Sequence, residues 1–108
     1  MILDFVLGAK NTSLVDNYHQ WRKWADPKVM CDFSFHMGIT WWSDQVREEM
    51  TRITQEFGIP SFKTFMAYKD VFMLEDDEML ECYRHCAAIG AQAMVHAENG
   101  HIIDRLFK

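Results

Sequence analysis

The sequence lacks several features that mark whole classes of protein. No apolar run approaches the roughly 18 residues needed to cross a bilayer, and Asp4 interrupts the apolar start of the chain, where a signal peptide would first carry positive charge. Basic residues number 11 against 16 acidic ones, so the formal charge of −5 argues against electrostatic capture of nucleic acid or an anionic membrane. We therefore expect a cytoplasmic protein that binds neither nucleic acid nor membrane.

Cysteine is also scarce. The three cysteines, Cys31, Cys82 and Cys86, cannot all pair within the chain, which argues against a secreted disulfide framework. Cys82 and Cys86 lie four residues apart on a predicted helix with no second ligand pair at zinc-finger spacing, and we interpret them as structural. The sequence also contains no glycine-rich phosphate loop, serine nucleophile elbow or His-Glu-x-x-His motif. The candidate chemistry must come from other residues.

The chain does contain a regular alternation of strand-like and helix-like segments. Its 108 residues, 49% of them hydrophobic, suffice for one domain with a buried core. Apolar, strand-like stretches predict strands at 2–7, 29–38, 61–67 and 91–97, at intervals that fit a strand, a helix and two loops. We see no linker or internal boundary, so residues 1–108 are interpreted as a single segment.

Capping and breaking residues indicate where the helices lie. A capping side chain or an acidic run begins each of the first three helices, and proline or glycine ends it: Asn11–Ser13, Pro27, Ser43, Gly58, Glu75–Glu78 and Gly90. A fourth helix is predicted to begin near Ile102. The predicted order of elements is therefore βαβαβαβα.

This alternation predicts an α/β fold with parallel strands joined by right-handed crossovers. Four βα units make half of a (β/α)₈ barrel, which takes roughly 250 residues, whereas four parallel strands could also form a small open sheet. The unfinished last helix favours a partial barrel of about four βα units. We expect the helices to cover one face of the sheet.

Lys63 is the first candidate for chemistry, because it lies inside the apolar strand 61–67. A buried charged amine is costly unless it is paired, modified or at a strand end. One interpretation is a lysine that an edge strand exposes. The functional alternative is a neutral amine that acts as a nucleophile or becomes carboxylated.

His96 lies near the carboxyl end of the predicted strand 91–97, and α/β active sites are assembled at that edge. A neutral imidazole there could bind zinc, with Glu98 or Asn99 holding its ring or the following loop. A satisfied core histidine is the alternative. His36 raises the same question on strand 29–38.

Tyr68 follows Lys63 by five residues, beyond the predicted strand. Its phenol could donate a hydrogen bond to a developing oxyanion, or the ring could simply pack at the barrel rim.

Three neighbouring strands would offer Lys63, His96 and His36 at equivalent depths. Three such residues together suggest a site more strongly than any one of them does. The adjacent indoles of Trp41 and Trp42 are expected to pack between helices.

Four segments of the chain resemble the dihydropyrimidinase and hydantoinase family of cyclic amidohydrolases: Cys31–His36, Ile39–Trp42, Ser61–Asp70 and Val95–Gly100. The resemblance covers nearly the whole chain. Its most specific parts are the strand around Lys63 and the segment Val95–Gly100.

The resemblance implies a (β/α)₈ barrel, usually a homotetramer, in which two zinc ions activate a bridging hydroxide to open a small cyclic amide. It implies that Lys63 is the carboxylated lysine bridging both metals and that His96 binds the second metal. Tyr68 would hydrogen-bond the substrate carbonyl and stabilise the oxyanion. Lys63 and His96 are the metal ligands that this chain carries, because the family's other ligands lie outside it.

The resemblance also implies a choice between two functions. The first is hydrolysis of 5,6-dihydrouracil-like rings, with this chain as one segment of a whole barrel and inactive alone. The second is a catalytically silent relative that acts as an interaction protein, as in the collapsin response mediator proteins. That sister family has lost the lysine, so Lys63 favours the enzyme, as do Trp41 and Trp42.

Overall fold

In the computed structural model, which describes residues 1–107, strands and helices alternate along the chain. The strands are β1 Ile2–Val6, β2 Phe33–Gly38, β3 Ser61–Phe65 and β4 Gln92–His96. The helices are α1 Leu14–Ala25, α2 Asp44–Phe57, α3 Asp76–Ile89 and α4 Gly100–Leu106. None of these helices is long and apolar enough to cross a membrane. The predicted order of elements is confirmed.

The four strands form one parallel sheet in the order β1-β2-β3-β4. Phe5 of β1 lies opposite His36 of β2, and Phe65 of β3 lies opposite His96 of β4. Because consecutive strands are neighbours and run in the same direction, each connection is a crossover that passes through a helix. The predicted α/β class is confirmed.

The helix ends follow the predicted caps. The hydroxyl oxygens of Ser13 and Ser43 each accept an amide proton from the first turn of the following helix at 3.3 Å. Gly58 and Gly90 have φ angles of 68° and 72°, in the left-handed region that residues with a Cβ rarely adopt. These glycines therefore end α2 and α3 where the sequence predicts.

The starts of α3 and α4 also have side-chain caps. The carboxylate of Glu78 accepts the amide proton of Glu75 at 2.9 Å, so the acidic run begins α3 as predicted. The side-chain oxygen of Asn99 accepts the amide proton of Ile102 at 3.0 Å. Because of this cap, α4 begins at Gly100, two residues before the predicted start.

The predicted strand 29–38 is too long, since β2 begins at Phe33. Ile2 donates its amide proton to the Asp32 carbonyl and pairs with Phe33, so the described β1–β2 pairing begins at Phe33, after residues 29–31. β3 begins further along β2 and does not reach these residues either. Without a partner strand, residues 29–31 stay outside the sheet, and Met30 is fully exposed.

The helices cover one face of the sheet, as expected. Phe35, Met37 and Phe62 point to this face and are buried in one core cluster with α2, which contributes Met50 and Ile53. Strand side chains alternate between faces, so Lys63, Phe65 and His96 lie on the opposite face. We call that side of the sheet the open face.

A buried carboxylate joins α1 to α2. Glu49 of α2 is 8% exposed, and its carboxylate accepts hydrogen bonds at 3.0 Å from the Ser13 hydroxyl and the Val15 amide. The side-chain amide of Gln45 donates to the same carboxylate at 2.8 Å. Glu49 therefore satisfies free donors at the start of a neighbouring helix.

Replacing Glu49 with alanine is expected to lower the free energy of unfolding by about 2 kcal/mol, because the Val15 amide is left buried and unsatisfied. Urea titration of the protein that contains this chain measures the change. The neighbouring and exposed Glu48 provides the control, since Glu48→Ala should stay within about 0.5 kcal/mol of wild type. Equal effects at both positions would contradict the assigned role.

The 108-residue chain on its own is expected to be marginally stable and to self-associate. Within residues 1–107, β1 and β4 are sheet edges with one partner strand each, and Leu3 on the open face is 50% exposed. Unpaired strand edges and exposed apolar surface favour association between copies. Light scattering and denaturant titration test this, and a stable monomer with one cooperative transition would contradict it.

Candidate functional site

Lys63 lies in the middle of β3 on the open face, opposite Gly38 of β2 and Met94 of β4. Its Nζ is 4.8 Å from the centre of the Phe5 ring and 5.8 Å from the centre of the Phe65 ring. Aromatic faces stabilise an ammonium group at such distances. Lys63 is therefore half-buried within the sheet, away from the exposed edge position that was one alternative.

His96 ends β4 on the same face as Lys63. It lies opposite Phe65, which is two residues after Lys63 and so points the same way. The His96 Nε2 is 2.6 Å from a carboxylate oxygen of Glu98. A carboxylate partner fixes the orientation of an imidazole ring, and the other ring nitrogen, Nδ1, is the one left for another contact.

Tyr68 lies in the β3–α3 connection, at the carboxyl end of the sheet. Its φ is 62°, an uncommon conformation for a residue other than glycine. The phenol ring stacks on the His96 ring with 5.5 Å between centres and an 18° angle between planes. Tyr68 is 50% exposed at the rim.

The structure brings the three predicted site residues together around one aromatic side chain. The centre of the Phe65 ring lies 5.8 Å from the Lys63 Nζ, 5.8 Å from the Tyr68 ring centre and 6.3 Å from the His96 ring centre. Within residues 1–107 no hydrogen bond joins Lys63 to His96 directly. The sequence placed the three residues on one rim but gave no sign of Phe65 between them.

A cavity of about 370 Å³ lies beside Tyr68 at the same rim. Glu98, the partner of His96, lines it together with Ile103 and Asp104 of α4. The cavity therefore adjoins the candidate site between the β3–α3 and β4–α4 connections.

The prediction that Lys63, His96 and His36 lie at equivalent depths is wrong for both histidines. Met94 lies opposite Lys63, so His96 lies two residues further toward the carboxyl end of the sheet. The pairing places Gly38 opposite Lys63, so His36 lies two residues further toward the amino end of the sheet. Its Nδ1 is hydrogen-bonded to the Ser61 hydroxyl, and its ring packs against Phe5. His36 is a satisfied histidine, one of the two alternatives for this residue type.

The cysteines have the structural character predicted for them. Cys82 and Cys86 are each 1% exposed, on the buried face of α3. The hydrogen bond to Cys86 and burial both raise the pKa of the Cys82 thiol, which keeps it neutral. Among residues 1–107, no three histidine, cysteine, aspartate or glutamate side chains come together as a metal site.

Sequence reasoning missed the contacts that hold the loops of this rim together. The Lys10 ammonium donates to the main-chain carbonyls of Thr40 and Met73. The indole nitrogen of Trp41 donates to the Thr12 carbonyl at 2.8 Å. Trp41 therefore fixes a loop of the rim through its indole nitrogen, while its ring and that of Trp42 pack, partly buried, against the core cluster. A lysine in a polar loop carries no periodic signal, so no sequence pattern could have revealed the Lys10 contacts.

This arrangement, a parallel βα sheet with polar side chains at its carboxyl rim, is the kind that α/β enzymes use for their active sites. No protein-family profile matches the chain. It is 52% identical over 103 residues to dihydropyrimidinase of Rattus norvegicus, covering 95% of this chain and 20% of that protein. It is 50% identical over 103 residues to dihydropyrimidinase-related protein 5 of Homo sapiens, covering 95% of this chain and 18% of that protein.

Solved structures give the same result. The D-hydantoinase of Bacillus sp. AR9 superimposes with a TM-score of 0.93 at 38% identity, covering 96% of this chain and 23% of that structure. This chain is therefore similar in sequence and in fold to a segment of dihydropyrimidinases and hydantoinases, and it spans about one fifth of the length of the relatives it matches. The predicted resemblance and the predicted partial barrel are confirmed.

Proposed function

We propose that this chain is the part of a cyclic amidohydrolase that supplies Lys63, His96 and Tyr68 to the hydrolysis of dihydropyrimidine-like rings. The observation that carries the proposal is the meeting of these three residues around Phe65, at the carboxyl end of a parallel sheet. The similarity to dihydropyrimidinase supports the reaction class. The resemblance further suggests a homotetramer in the cytoplasm, which we include in the proposal.

The side chains present fit a zinc site in chemical type. An imidazole is a common zinc ligand, and a carboxylated lysine presents oxygen atoms where the free amine presents one nitrogen. Zinc takes about four ligands, so Lys63 and His96 need further ligands from outside these 108 residues. When bound, a zinc pair supplies a water of lowered pKa and polarises the amide carbonyl.

His96 is prepared to bind a metal through a defined nitrogen. If Nε2 carries the proton donated to Glu98 at 2.6 Å, the lone pair of Nδ1 is free. A carboxylate in this position also makes the imidazole a stronger base and a better ligand. Glu98 is therefore assigned the role of orienting His96.

In this proposal, the Tyr68 hydroxyl donates a hydrogen bond to the substrate carbonyl oxygen as negative charge develops on it. Stacking on His96 and edge contact with Phe65 limit the motion of the phenol ring. A donor held in place before the reaction stabilises developing charge without reorganisation. The cavity beside Tyr68 is lined by Tyr68 and Glu98 and by neither Lys63 nor His96, so it adjoins the proposed reaction centre.

The alternative function is that of a non-catalytic relative. The identity to dihydropyrimidinase-related protein 5, 50%, is close to the 52% identity to dihydropyrimidinase, so overall similarity favours neither. Lys63 favours the enzyme, because a half-buried lysine at this site would be carboxylated and bind metal in the proposed function.

Incubating the full-length protein with 5,6-dihydrouracil and with hydantoin tests the proposal, with the ring-opened acid measured as product. We expect ring opening that a metal chelator abolishes and added zinc restores. A metal-loaded protein that opens neither ring would support the non-catalytic alternative.

A further inference from the structure

The Lys10 ammonium lies where three loops meet at the carboxyl rim. Lys10 belongs to the β1–α1 connection, and its Nζ donates to the carbonyl of Thr40 at 2.9 Å and to the carbonyl of Met73 at 2.8 Å. Thr40 belongs to the β2–α2 connection and Met73 to the β3–α3 connection. A single side chain therefore joins three successive loops.

The backbone that carries Lys10 is itself fixed on both sides. The Thr40 hydroxyl donates to the Gly8 carbonyl at 2.9 Å, two residues before Lys10. The Trp41 indole donates to the Thr12 carbonyl at 2.8 Å, two residues after it. Because both flanks are anchored, the ammonium is held at a defined position rather than reaching out from a free loop.

Met73, one of the two residues that Lys10 binds, belongs to the turn that begins at Tyr68. The Tyr68 carbonyl accepts the amide protons of Val71, Phe72 and Met73 at 3.0, 3.0 and 3.3 Å. The Met73 amide therefore binds Tyr68 while the Met73 carbonyl binds Lys10. Tyr68 has the φ of 62°, a conformation that persists where surrounding contacts hold it.

Within residues 1–107, Lys10 forms no ion pair, and both acceptors of its hydrogen bonds are main-chain carbonyls. Hydrogen bonds from a charged donor are stronger than those between neutral groups. The charge of Lys10 is thus directed at the loop backbone rather than at a carboxylate.

We propose that Lys10 is a positioning residue, which holds the Tyr68 turn through the Met73 carbonyl and so keeps the Tyr68 phenol in place above the candidate site. This inference rests on the proposed function, because it assigns to Lys10 the placement of the proposed oxyanion donor. Lys10 touches neither Lys63 nor His96 in this arrangement, so it acts through Tyr68.

Hydrogen exchange in the full-length protein tests whether Lys10 holds the turn. Lys10→Met removes the ammonium and keeps most of the stem. We expect the amides of residues 71–73 to exchange at least tenfold faster, while the amides of α3 exchange as in wild type. Lys10→Gln keeps a neutral donor and decides the question if the methionine variant does not fold. The control is Lys28→Met, which removes an exposed lysine at the opposite rim and should change neither region.

Steady-state kinetics on the same variants test whether the turn matters for turnover. In Lys10→Met we expect kcat to fall about tenfold or more, with KM within about twofold and bound metal unchanged. Unchanged exchange at 71–73, or faster exchange with unchanged kcat, overturns the inference. If wild type opens no ring, the proposed function fails and with it the catalytic part of this inference, while exchange alone still decides whether Lys10 holds the turn.

Discussion

Lys63→Ala in the full-length protein is expected to lower the rate of ring opening by about a thousandfold or more, since an activated metal-bound water is worth several kcal/mol of transition-state stabilisation. In the proposed function, carboxylated Lys63 would help to hold the metal, and alanine offers no ligand in its place. Metal content should fall together with activity. Both are measurable on one preparation, by elemental analysis and by the rate of product formation.

The lysine prediction has its own spectroscopic test. Carboxylation adds carbon dioxide to the Lys63 amine, so ¹³C-labelled bicarbonate should give a carbamate signal in wild type that Lys63→Ala lacks. Lys28→Ala is the matched control, because Lys28 is exposed at the opposite rim and should keep both the signal and the activity. If Lys63→Ala retained full activity, the assignment of the metal site would be wrong even though the fold is right.

Tyr68→Phe is expected to lower kcat by about a hundredfold or more and to leave bound metal unchanged, as is usual for the loss of one oxyanion donor. The substitution removes a single oxygen from a half-exposed ring, and the ring can keep its stacking on His96. Stability should therefore change little, and the loss should appear in turnover.

Tyr18→Phe is the control for the tyrosine prediction. Tyr18 stacks on Phe57 between α1 and α2, on the helix side of the sheet, so the same change of one hydroxyl there should leave kcat unaltered. Equal turnover in wild type and Tyr68→Phe would show that the substrate oxyanion is stabilised by other groups. A loss of metal in Tyr68→Phe would indicate that the ring supports His96 rather than the substrate.

The fold was largely predictable because its signals are local. Serine caps and left-handed glycines decide helix ends within a few residues of themselves, as at Ser43 and Gly58. The error in β2 arose because strand length depends on partners. Residues 29–31 have a suitable pattern, but within residues 1–107 no strand pairs with them. Pairing register depends on two segments together, so the sequence of either strand alone does not determine it.

The residues of the candidate site could be predicted, but how far along the strands each of them lies could not. The family resemblance implied that Lys63 and His96 share one face, and the register of β3 and β4 places them there. A residue just after a strand, such as Tyr68, lies at the rim. The depths of His36 and His96 relative to Lys63 depended on register, which the sequence does not state. The hydrogen bonds of Lys10 join residues 30 and 63 positions apart, beyond any local pattern.

The sequential strand order described above bears on how the chain assembles during synthesis. Each strand pairs with the one made just before it, so every pairing closes a loop of about one βα unit, and the cost of closure stays modest. Topologies dominated by such near-neighbour contacts fold faster than those needing distant pairings. β1 and β2 can pair once Gly38 has left the ribosome, and each later strand then docks on the edge that its predecessor presents. The order of translation thus becomes the order of assembly.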